Sequence, residues 1–434
     1  MTLHIKIVGA GLSGLLIAYH LKKLIPQESD VVQVEIFDNQ SKSTDIASTI
    51  SMAWLNSAYP CSDQYDQSAR LYDQFRIDAL KAWNTLNESL MKDGILDIVA
   101  SQKEAVEINS DLINSLYVFF NENEQREFVD MVRRLNDISD TYQVKRISQE
   151  TIEPYFPFLA HFPPYFLHNI ASESLVNPYH LRTQLINYLQ HANVTFHWET
   201  VISPEQMQFE PTTHWILAAG NGCLDLVKNT RLDGIQFVKD SVAEVIYCSL
   251  STPLDLKGKV FHIGPSQTTP GFHLRNNEQD LSKIKIVIDY DTRKEGSLNE
   301  NAQAIFTLLR LPVASYQCTN TIRRPMTPDG RPLIEMSLGN HHNIHMVYGH
   351  NLYSIAPLYR TFSQNVAAAI NQKQPVFLPV PYHSELEQFS LAGRQFRSKL
   401  RNLCIFAQVD PQKQRTPLPK NIQPNNTSAP RAKL

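Results

Sequence analysis

The sequence lacks the features that would place the protein in a membrane, outside the cell or on nucleic acid. None of its apolar runs is long enough to span a bilayer. No signal peptide precedes its first apolar segment, so we expect a cytoplasmic protein. Lys and Arg number 40 against 43 Asp and Glu, which gives a formal net charge of -3. There is therefore no overall positive field that would favour nucleic acid.

Cysteine is scarce and scattered along the chain. The five cysteines among 434 residues are odd in number, and no two of them have the spacing of metal ligands. Reduced thiols without a metal are the simplest interpretation. A hydrophobic content of 42% with 19% charged residues is typical of a globular protein, and the length predicts two or more domains.

Glycine is sparse as well, yet three glycines stand together near the N-terminus. Gly9, Gly11 and Gly14 fit the pattern G-x-G-x-x-G. They lie between a short apolar run, residues 5–8, and a helical pattern that begins at Leu12. The first glycine allows a tight turn, the second lets the backbone approach a pyrophosphate, and the third lets the helix pack closely on the strand.

An acidic residue completes this pattern. A second predicted strand, residues 32–37, ends at Asp38, where a carboxylate can accept hydrogen bonds from the ribose of an adenosine. Glu35 lies inside the strand and is a poorer candidate. The order of strand, turn, helix, strand and acid favours a dinucleotide site over an ordinary glycine-rich turn.

The rest of the chain alternates between α/β order and short β-rich runs. We predict helices at 67–91, 124–135, 179–190, 298–309 and 357–370, and strands at 194–197, 215–218, 242–248, 259–263, 285–288 and 343–347. The strand at 215–218 leads to Gly220, a second place where the backbone can approach a ligand. The β-rich stretch from 232 to 317 predicts a largely antiparallel sheet domain inserted into the first domain.

Several later motifs, together with the N-terminal glycines, resemble the D-amino-acid oxidase/glycine oxidase (DAO) family of FAD-dependent oxidoreductases over residues 3–372. The strongest is Arg-Arg-Pro-Met-Thr-Pro-Asp-Gly-Arg-Pro at 323–332, which is similar to the family's R-P-x-T-P-D-G-x-P. A G-H pair follows at 349–350. Weaker matches are S-x-A-W-x-N at 51–56, V-N-P at 176–178, A-A-G at 218–220 and A-P at 356–357.

This resemblance implies a fold and a division into domains. The fold class is α/β, with a discontinuous Rossmann-like FAD-binding domain and an inserted, mostly antiparallel α+β substrate domain. The implied ranges are 1–90, 145–230 and 318–375 for the FAD-binding domain and 91–144 and 231–317 for the substrate domain. Outside the resemblance, the residue pattern predicts a C-terminal helical extension at 376–408, and the proline-rich composition predicts a disordered tail at 409–434.

The resemblance also implies which residues contact FAD. They are Gly9, Gly11, Gly14 and Asp38 on the ADP half, Ser51, Met52, Ala53 and Val201 through loop backbone, Gly220 near the pyrophosphate or ribose, and Gly349, His350 and Asn351 at the isoalloxazine ring. No metal is implied.

On the substrate side, Arg324 aligns with the arginine that holds a substrate carboxylate in amino-acid-oxidising members. Its planar guanidinium pairs bidentately with a carboxylate and stays charged. The alternative is a structural ion pair or a cap on backbone carbonyls. Tyr353 either closes the pocket or belongs to the core.

The implied reaction is oxidation of the C–N bond of an amino acid or related secondary amine by hydride transfer to flavin. Oxygen or another acceptor then takes the electrons. A neutral amine loses its hydride without a dedicated base, so the sequence predicts no separate catalytic residue.

Two other functions stay open. A tRNA-modification oxidase of the same fold is disfavoured, because the chain has neither a basic surface nor a methyltransferase domain. A non-catalytic flavin-binding interaction protein is supported only by residues 351–355, which are shorter than the family's glycine-rich run. A basic amphipathic helix around 386–401 either touches a membrane surface or packs on the body of the protein.

Overall fold

The structure is a computed structural model, in which helices and strands can be assigned over most of the first 371 residues. It describes residues 2–25, 32–42, 54–55, 67–95, 106–108, 111–137, 144–170, 173–207, 210, 212–227, 241–252, 254–277, 283–288, 298–311, 313–324, 332–335, 343–349 and 352–371. The predicted C-terminal helix and tail, 376–408 and 409–434, lie outside these residues. Within the described segments, no helix is both long and apolar enough to cross a membrane.

The eight predicted strands are present, and the structure describes ten more, which include five strands of the second sheet. The strands are β1 Leu3–Val8, β2 Val32–Phe37, β3 Trp54–Leu55, β4 Val106–Ile108, β5 Asp111–Ile113, β6 Ser115–Phe119, β7 Val144–Ile147, β8 Phe166–Ile170, β9 Ser174–Leu175, β10 Thr195–His197, β11 Thr213–Leu217, β12 Ser241–Leu250, β13 Val260–Ile263, β14 Phe272–Asn276, β15 Lys283–Ile288, β16 Val313–Arg324, β17 Leu333–Glu335 and β18 Ile344–Tyr348. The helices are α1 Leu12–Leu24, α2 Gln67–Lys92, α3 Glu122–Asn136, α4 Gln149–Ile152, α5 Pro178–His191, α6 Cys223–Leu226, α7 Leu298–Leu309 and α8 Leu352–Asn371.

A six-stranded sheet contains the N-terminal strand at its centre. The strand order is β10-β2-β1-β11-β18-β17, and every neighbouring pair is parallel except β17 with β18. Strands buried on both faces need a nearly continuous apolar run, which β1 and β11 supply with Ile5, Ile7 and Ile216, all fully buried. Helix α1 packs on this sheet together with α5 and α8.

A second sheet of eight strands confirms the predicted antiparallel part. Its order is β16-β12-β15-β14-β13-β6-β8-β7, and only β13 and β6 run parallel to each other. One face is apolar and packs with α7, through side chains such as Leu116, Phe261, Phe272 and Ile305. The opposite face combines apolar side chains, such as Val245, Val260 and Val287, with histidine, arginine and lysine side chains, and we call it the polar face.

The predicted domain boundaries stay a prediction, but the strand pairing bears on where a boundary would be drawn. Strands β7 and β8 lie within or at the edge of the range 145–230 assigned to the FAD-binding domain, yet they pair in the eight-stranded sheet. The same is true of the end of β16. The sheets therefore favour a return to the FAD-binding domain near residue 173.

The last helix begins earlier than predicted. Pro357 indicates a helix start at 357, because proline is favoured in a first turn, but α8 begins at Leu352. Residues 352–355, predicted as a short lip of the substrate pocket, therefore form its first turn. Trp83 Nε1 of α2 donates to Leu352 O, the carbonyl of the first residue of α8, at 3.1 Å. The first turn of α8 is thus bonded to a neighbouring helix.

A short ribbon lies between the two large sheets. Strands β3 and β9 pair antiparallel, with Trp54 opposite Leu175. Leu55 and Val176 pack into the core around α1, whereas Trp54 and Leu175 pack against the eight-stranded sheet. The ribbon thus connects the predicted flavin loop, which precedes Trp54, to the polar face of that sheet.

Candidate functional site

Three glycines with positive φ stand at the carboxyl ends of adjacent parallel strands. Gly9 has φ +111°, Gly220 has φ +57° and Gly349 has φ +68°, and they follow β1, β11 and β18. The register places Val8 beside Leu217, so the turns after these strands open at one edge of the sheet. Ligands of open α/β sheets bind at this edge.

Two of the N-terminal glycines are required by packing within the chain. A Cβ on Gly14 would lie 2.0 Å from Gly9 O, and a Cβ on Gly9 would lie 2.6 Å from Ala218 O. The predicted close approach of α1 to β1 at Gly14 is therefore present.

The first turn of α1 presents backbone N–H groups at this edge. Gly11 is the N-cap residue, with φ −75° and no side chain to cap the turn, and its carbonyl accepts from Leu15 N at 3.0 Å. Uncapped N–H groups and the positive end of the helix dipole form a site for phosphate. These residues fit the pyrophosphate of a dinucleotide.

Asp38 anchors the glycine turn to the end of β2. Its Oδ2 accepts from Ala10 N at 2.6 Å, and its Oδ1 accepts from Gln40 N at 2.9 Å. A carboxylate accepts about four hydrogen bonds, so capacity remains for ribose hydroxyls. Oε2 of Glu35 instead lies 2.9 Å from His197 Nε2. Glu35 is therefore the poorer candidate for a contact with the ribose.

Val201 lies next to this part of the site. Thr200 N donates to Asp38 O at 2.8 Å, and Val201 is 72% exposed. Arg182 of α5 is buried nearby and donates from Nε to Ala10 O at 3.2 Å and from Nη1 to Lys42 O at 2.8 Å. No sequence motif predicted a role for Arg182.

Other predicted site residues are described in part or not at all. Arg324 is the last residue of β16, and its backbone is in register with Ser241 of β12. Tyr353 is the second residue of α8. The predicted residues outside the described part of the chain are Ser51, Met52, Ala53, His350 and Asn351.

The polar face of the eight-stranded sheet holds side chains that no sequence motif predicted. The register aligns Tyr117 with His262, His262 with His273, and Arg275 with Lys285. Arg275 and Lys285 are nearly fully buried, whereas the two histidines keep partial exposure on central strands. The alternation of polar and apolar residues in Phe-His-Leu-Arg, residues 272–275, is the sequence signal for this face.

The two histidines contact each other directly. Nδ1 of His262 lies 3.2 Å from Nδ1 of His273, and their ring centroids are 4.9 Å apart. Trp54 meets His273 edge-on at 5.3 Å, and Tyr117 lies 5.6 Å from His262. We call these four residues the histidine–aromatic cluster.

A buried carboxylate stands behind this cluster. Tyr117 donates its hydroxyl to Glu173 Oε2 at 2.8 Å, and Glu173 has no exposed surface. The indole N–H of Trp54 donates to Ser115 Oγ at 2.9 Å. These bonds fix the rings of Tyr117 and Trp54, so the face is rigid where it meets the ribbon.

The chain matches the model of a known protein family over most of its length. The model of the DAO family, described as FAD dependent oxidoreductase, matches residues 4–358. The chain belongs to this family. It is therefore an FAD-dependent oxidoreductase, and FAD is its cofactor, as predicted; the predicted fold class is confirmed as well.

Solved structures share the fold at low sequence identity. Iminodiacetate oxidase (IdaA) from Chelativorans sp. BNC1 is 16% identical, with a TM-score of 0.60 over 89% of this chain and 98% of that chain. Glycine oxidase from Geobacillus kaustophilus is 14% identical, with a TM-score of 0.60 over 88% and 98%. L-Proline dehydrogenase from P. horikoshii is 13% identical, with a TM-score of 0.55 over 92% and 98%. No curated protein matches the sequence.

Proposed function

We propose that this flavoenzyme oxidises the C–N bond of an amino acid or a related secondary amine. The observation that carries the proposal is the polar face of the eight-stranded sheet, which meets Trp54 directly after the predicted flavin loop. Similar folds belong to proteins named as oxidases or dehydrogenases of glycine, iminodiacetate and proline. A cytoplasmic location and reoxidation by oxygen or another acceptor are part of the proposal.

The chain's own residues would bind and orient the substrate. Bound FAD supplies a hydride acceptor, and this is the chemistry that the cofactor contributes. Arg324, at the end of β16, would hold the substrate carboxylate in a bidentate pair. Such a clamp fixes the α-carbon, and orientation of this kind accounts for a large part of the rate enhancement in many enzymes. Tyr353 would close the pocket from the first turn of α8.

The experiment is an anaerobic titration of the full-length holoprotein with glycine, sarcosine, D-alanine and L-proline, followed by flavin absorbance. Loss of the oxidised flavin band with one or more of these compounds is the expected result. Oxidised flavin that none of them reduces would contradict the proposal and favour the non-catalytic alternative.

The substrate role of Arg324 has its own matched control. Arg324→Ala is expected to raise the Kd of a carboxylate substrate at least tenfold, because a charge-assisted hydrogen bond contributes about 1.5–3 kcal/mol. Arg323→Ala removes the same side chain one position earlier and is expected to leave that Kd within about twofold. Equal values for the two variants would remove the clamp assignment.

A further inference from the structure

Helix α8 is bonded to the first turn of α1, the helix whose N-terminus fits the diphosphate of FAD. The hydroxyl of Tyr359 donates to Ser13 Oγ at 2.7 Å, and Ser13 directly precedes Gly14, the last glycine of the N-terminal pattern. We propose that Tyr359 positions the Ser13 hydroxyl so that it donates its own proton to this diphosphate. The inference concerns cofactor binding and does not depend on the proposed substrate.

The place of Ser13 in α1 directs its side chain toward the diphosphate site. It is the second residue of the helix, after Leu12, so its backbone N–H is one of the first four, which lack a partner within the helix. The Cα–Cβ bonds of a helix tilt toward its N-terminus, which here is the end at the ligand edge of the sheet. Ser13 also keeps partial exposure, whereas its neighbours Leu12 and Gly14 are buried.

The hydrogen bond has a defined direction, from the tyrosine to the serine. Tyr359 is the donor, and burial raises the pKa of its hydroxyl well above the ordinary value, so the tyrosine keeps its proton at neutral pH. A serine hydroxyl has one donor and two acceptor lone pairs. Because Tyr359 occupies a lone pair of Ser13, the proton of the serine must point in another direction.

The diphosphate of FAD is a suitable acceptor for that proton. Within the part of the chain that the structure describes, Ser13 Oγ makes no side-chain hydrogen bond besides the one from Tyr359. A hydroxyl that already accepts a hydrogen bond is polarised and donates more strongly to the next group. Hydrogen bonds to an anion are about twice as strong as neutral ones, and the first turn of α1 is the part of the chain that fits this anion.

The tyrosine is held rigidly enough to orient its partner. Tyr359 is fully buried in the core that α8 shares with α1, and Ser363 of α8 donates to Ile17 O of α1 at 3.4 Å. The step from 359 to 363 equals the step from 13 to 17, so the two helices run side by side in the same direction. Both N-termini therefore lie toward the ligand edge, where Tyr359 fixes one helix against the other.

The test separates the contribution of the diphosphate from that of the rest of the cofactor. Full-length holoprotein of wild type, Ser13→Ala, Tyr359→Phe and the double variant is equilibrated with increasing ADP or adenosine at a fixed total FAD concentration. The fluorescence of the released FAD then gives the Kd of each competitor. The ratio of the adenosine Kd to the ADP Kd reports how much the two phosphates add to binding. Alanine is the best helix former, so Ser13→Ala preserves α1.

Two control variants match the test variants in chemistry and in place. Ser363→Ala removes a serine hydroxyl that joins α8 to α1 one turn farther from the ligand edge. Tyr19→Phe removes a buried tyrosine hydroxyl of α1 that is bonded to Ser89. Both changes remove a hydrogen bond between helices without altering the first turn of α1. The urea midpoint of each variant at a fixed FAD concentration measures the accompanying loss of stability.

We expect the Kd ratio to fall about tenfold in Ser13→Ala, because a charge-assisted hydrogen bond is lost. In Tyr359→Phe it should fall about threefold, because the serine hydroxyl then rotates among three staggered positions. In the double variant the ratio should equal that of Ser13→Ala, since the tyrosine acts through the serine. The two control variants should lower the urea midpoint and keep the wild-type ratio.

Three results would overturn the inference. A wild-type ratio in Ser13→Ala would mean that the hydroxyl does not bind the diphosphate. An equal rise of both Kd values in Tyr359→Phe would mean that the tyrosine only stabilises the helices. A further threefold fall in the double variant would mean that Tyr359 acts independently of Ser13. Each of these results leaves the proposed function intact.

Discussion

At the scale of single residues, the glycine turn is determined by close backbone contacts as much as by a ligand. Gly14 faces Gly9 O, and Gly9 faces Ala218 O, so both positions exclude a side chain even before FAD binds. Gly222 is different, because a Cβ there would meet only Ala219 Cβ at 3.4 Å. Of these three glycines, two must be glycine and one need not be.

Gly14→Ala is expected to destabilise the protein by about 1–3 kcal/mol and to reduce its FAD content. The new Cβ would lie 2.0 Å from a backbone oxygen, so α1 must move away from β1, which is the usual cost of overpacking. The urea midpoint at a fixed FAD concentration measures the change. Gly222→Ala, in helical backbone with φ −61°, serves as the control and should be nearly neutral. Equal midpoints for the two variants would contradict this account.

At the scale of elements, the sequence predicted most of the described helices but fewer than half of the described strands, because apolar periodicity is clearer in long elements than in short ones. Helix α7 was predicted at its observed bounds, 298–309, and β2 at 32–37. Helix α8 was predicted to start five residues late, because Pro357 resembles a first-turn proline and the contact from Trp83 is distant in sequence. The histidine–aromatic cluster was missed for the same reason: its members come from β3, β6, β13 and β14, and only strand register brings them together.

Arg182→Met is expected to weaken FAD binding about tenfold or more. The guanidinium joins three elements, since it leaves α5 to donate to the glycine turn at Ala10 O and to the loop after β2 at Lys42 O. Losing hydrogen bonds from a charged group costs about 1.5–3 kcal/mol, and 1.4 kcal/mol is a tenfold change in Kd. Quenching of FAD fluorescence by the apoprotein measures this Kd.

The controls for Arg182 separate its geometry from its charge. Arg182→Lys keeps the charge but cannot reach both carbonyls with a rigid fork, so an intermediate Kd is expected. Arg133→Met removes an exposed arginine of α3, whose guanidinium bonds to Asp130, and should leave the Kd unchanged. If Arg182→Met binds FAD as tightly as Arg133→Met, Arg182 does not position the site.

At the scale of the whole molecule, the six-stranded sheet and its helices bury histidines that cannot readily become charged. Burial lowers the pKa of His214 and of His20 to about 4, and that of His345 to about 3. His214 and His345 lie on neighbouring strands β11 and β18, with rings stacked at 5.7 Å, and His20 lies on α1. A proton on His214 or His345 would place a charge in the interior, and a proton on His20 would charge a ring whose Nε2 is shielded from solvent.

We therefore expect the protein to lose stability as the pH falls from about 6.5 toward 4. Below about 6.5 the unfolded chain binds protons at these histidines, whereas the folded protein does not until the pH nears the lowered pKa values. The unfolded state then holds more protons, so the free energy of unfolding decreases with falling pH by about 1.4 kcal/mol per pH unit for each histidine.

His345→Gln removes one such proton, and the slope of the free energy of unfolding between pH 6 and 4.5 should flatten by about that amount. Phe362→Leu, which alters the packing near His345 without removing a titrating group, should lower stability at every pH and leave the slope unchanged. Urea unfolding at a fixed FAD concentration measures both slopes, and an equal slope for wild type and His345→Gln would mean that His345 takes no part in the acid sensitivity of the fold.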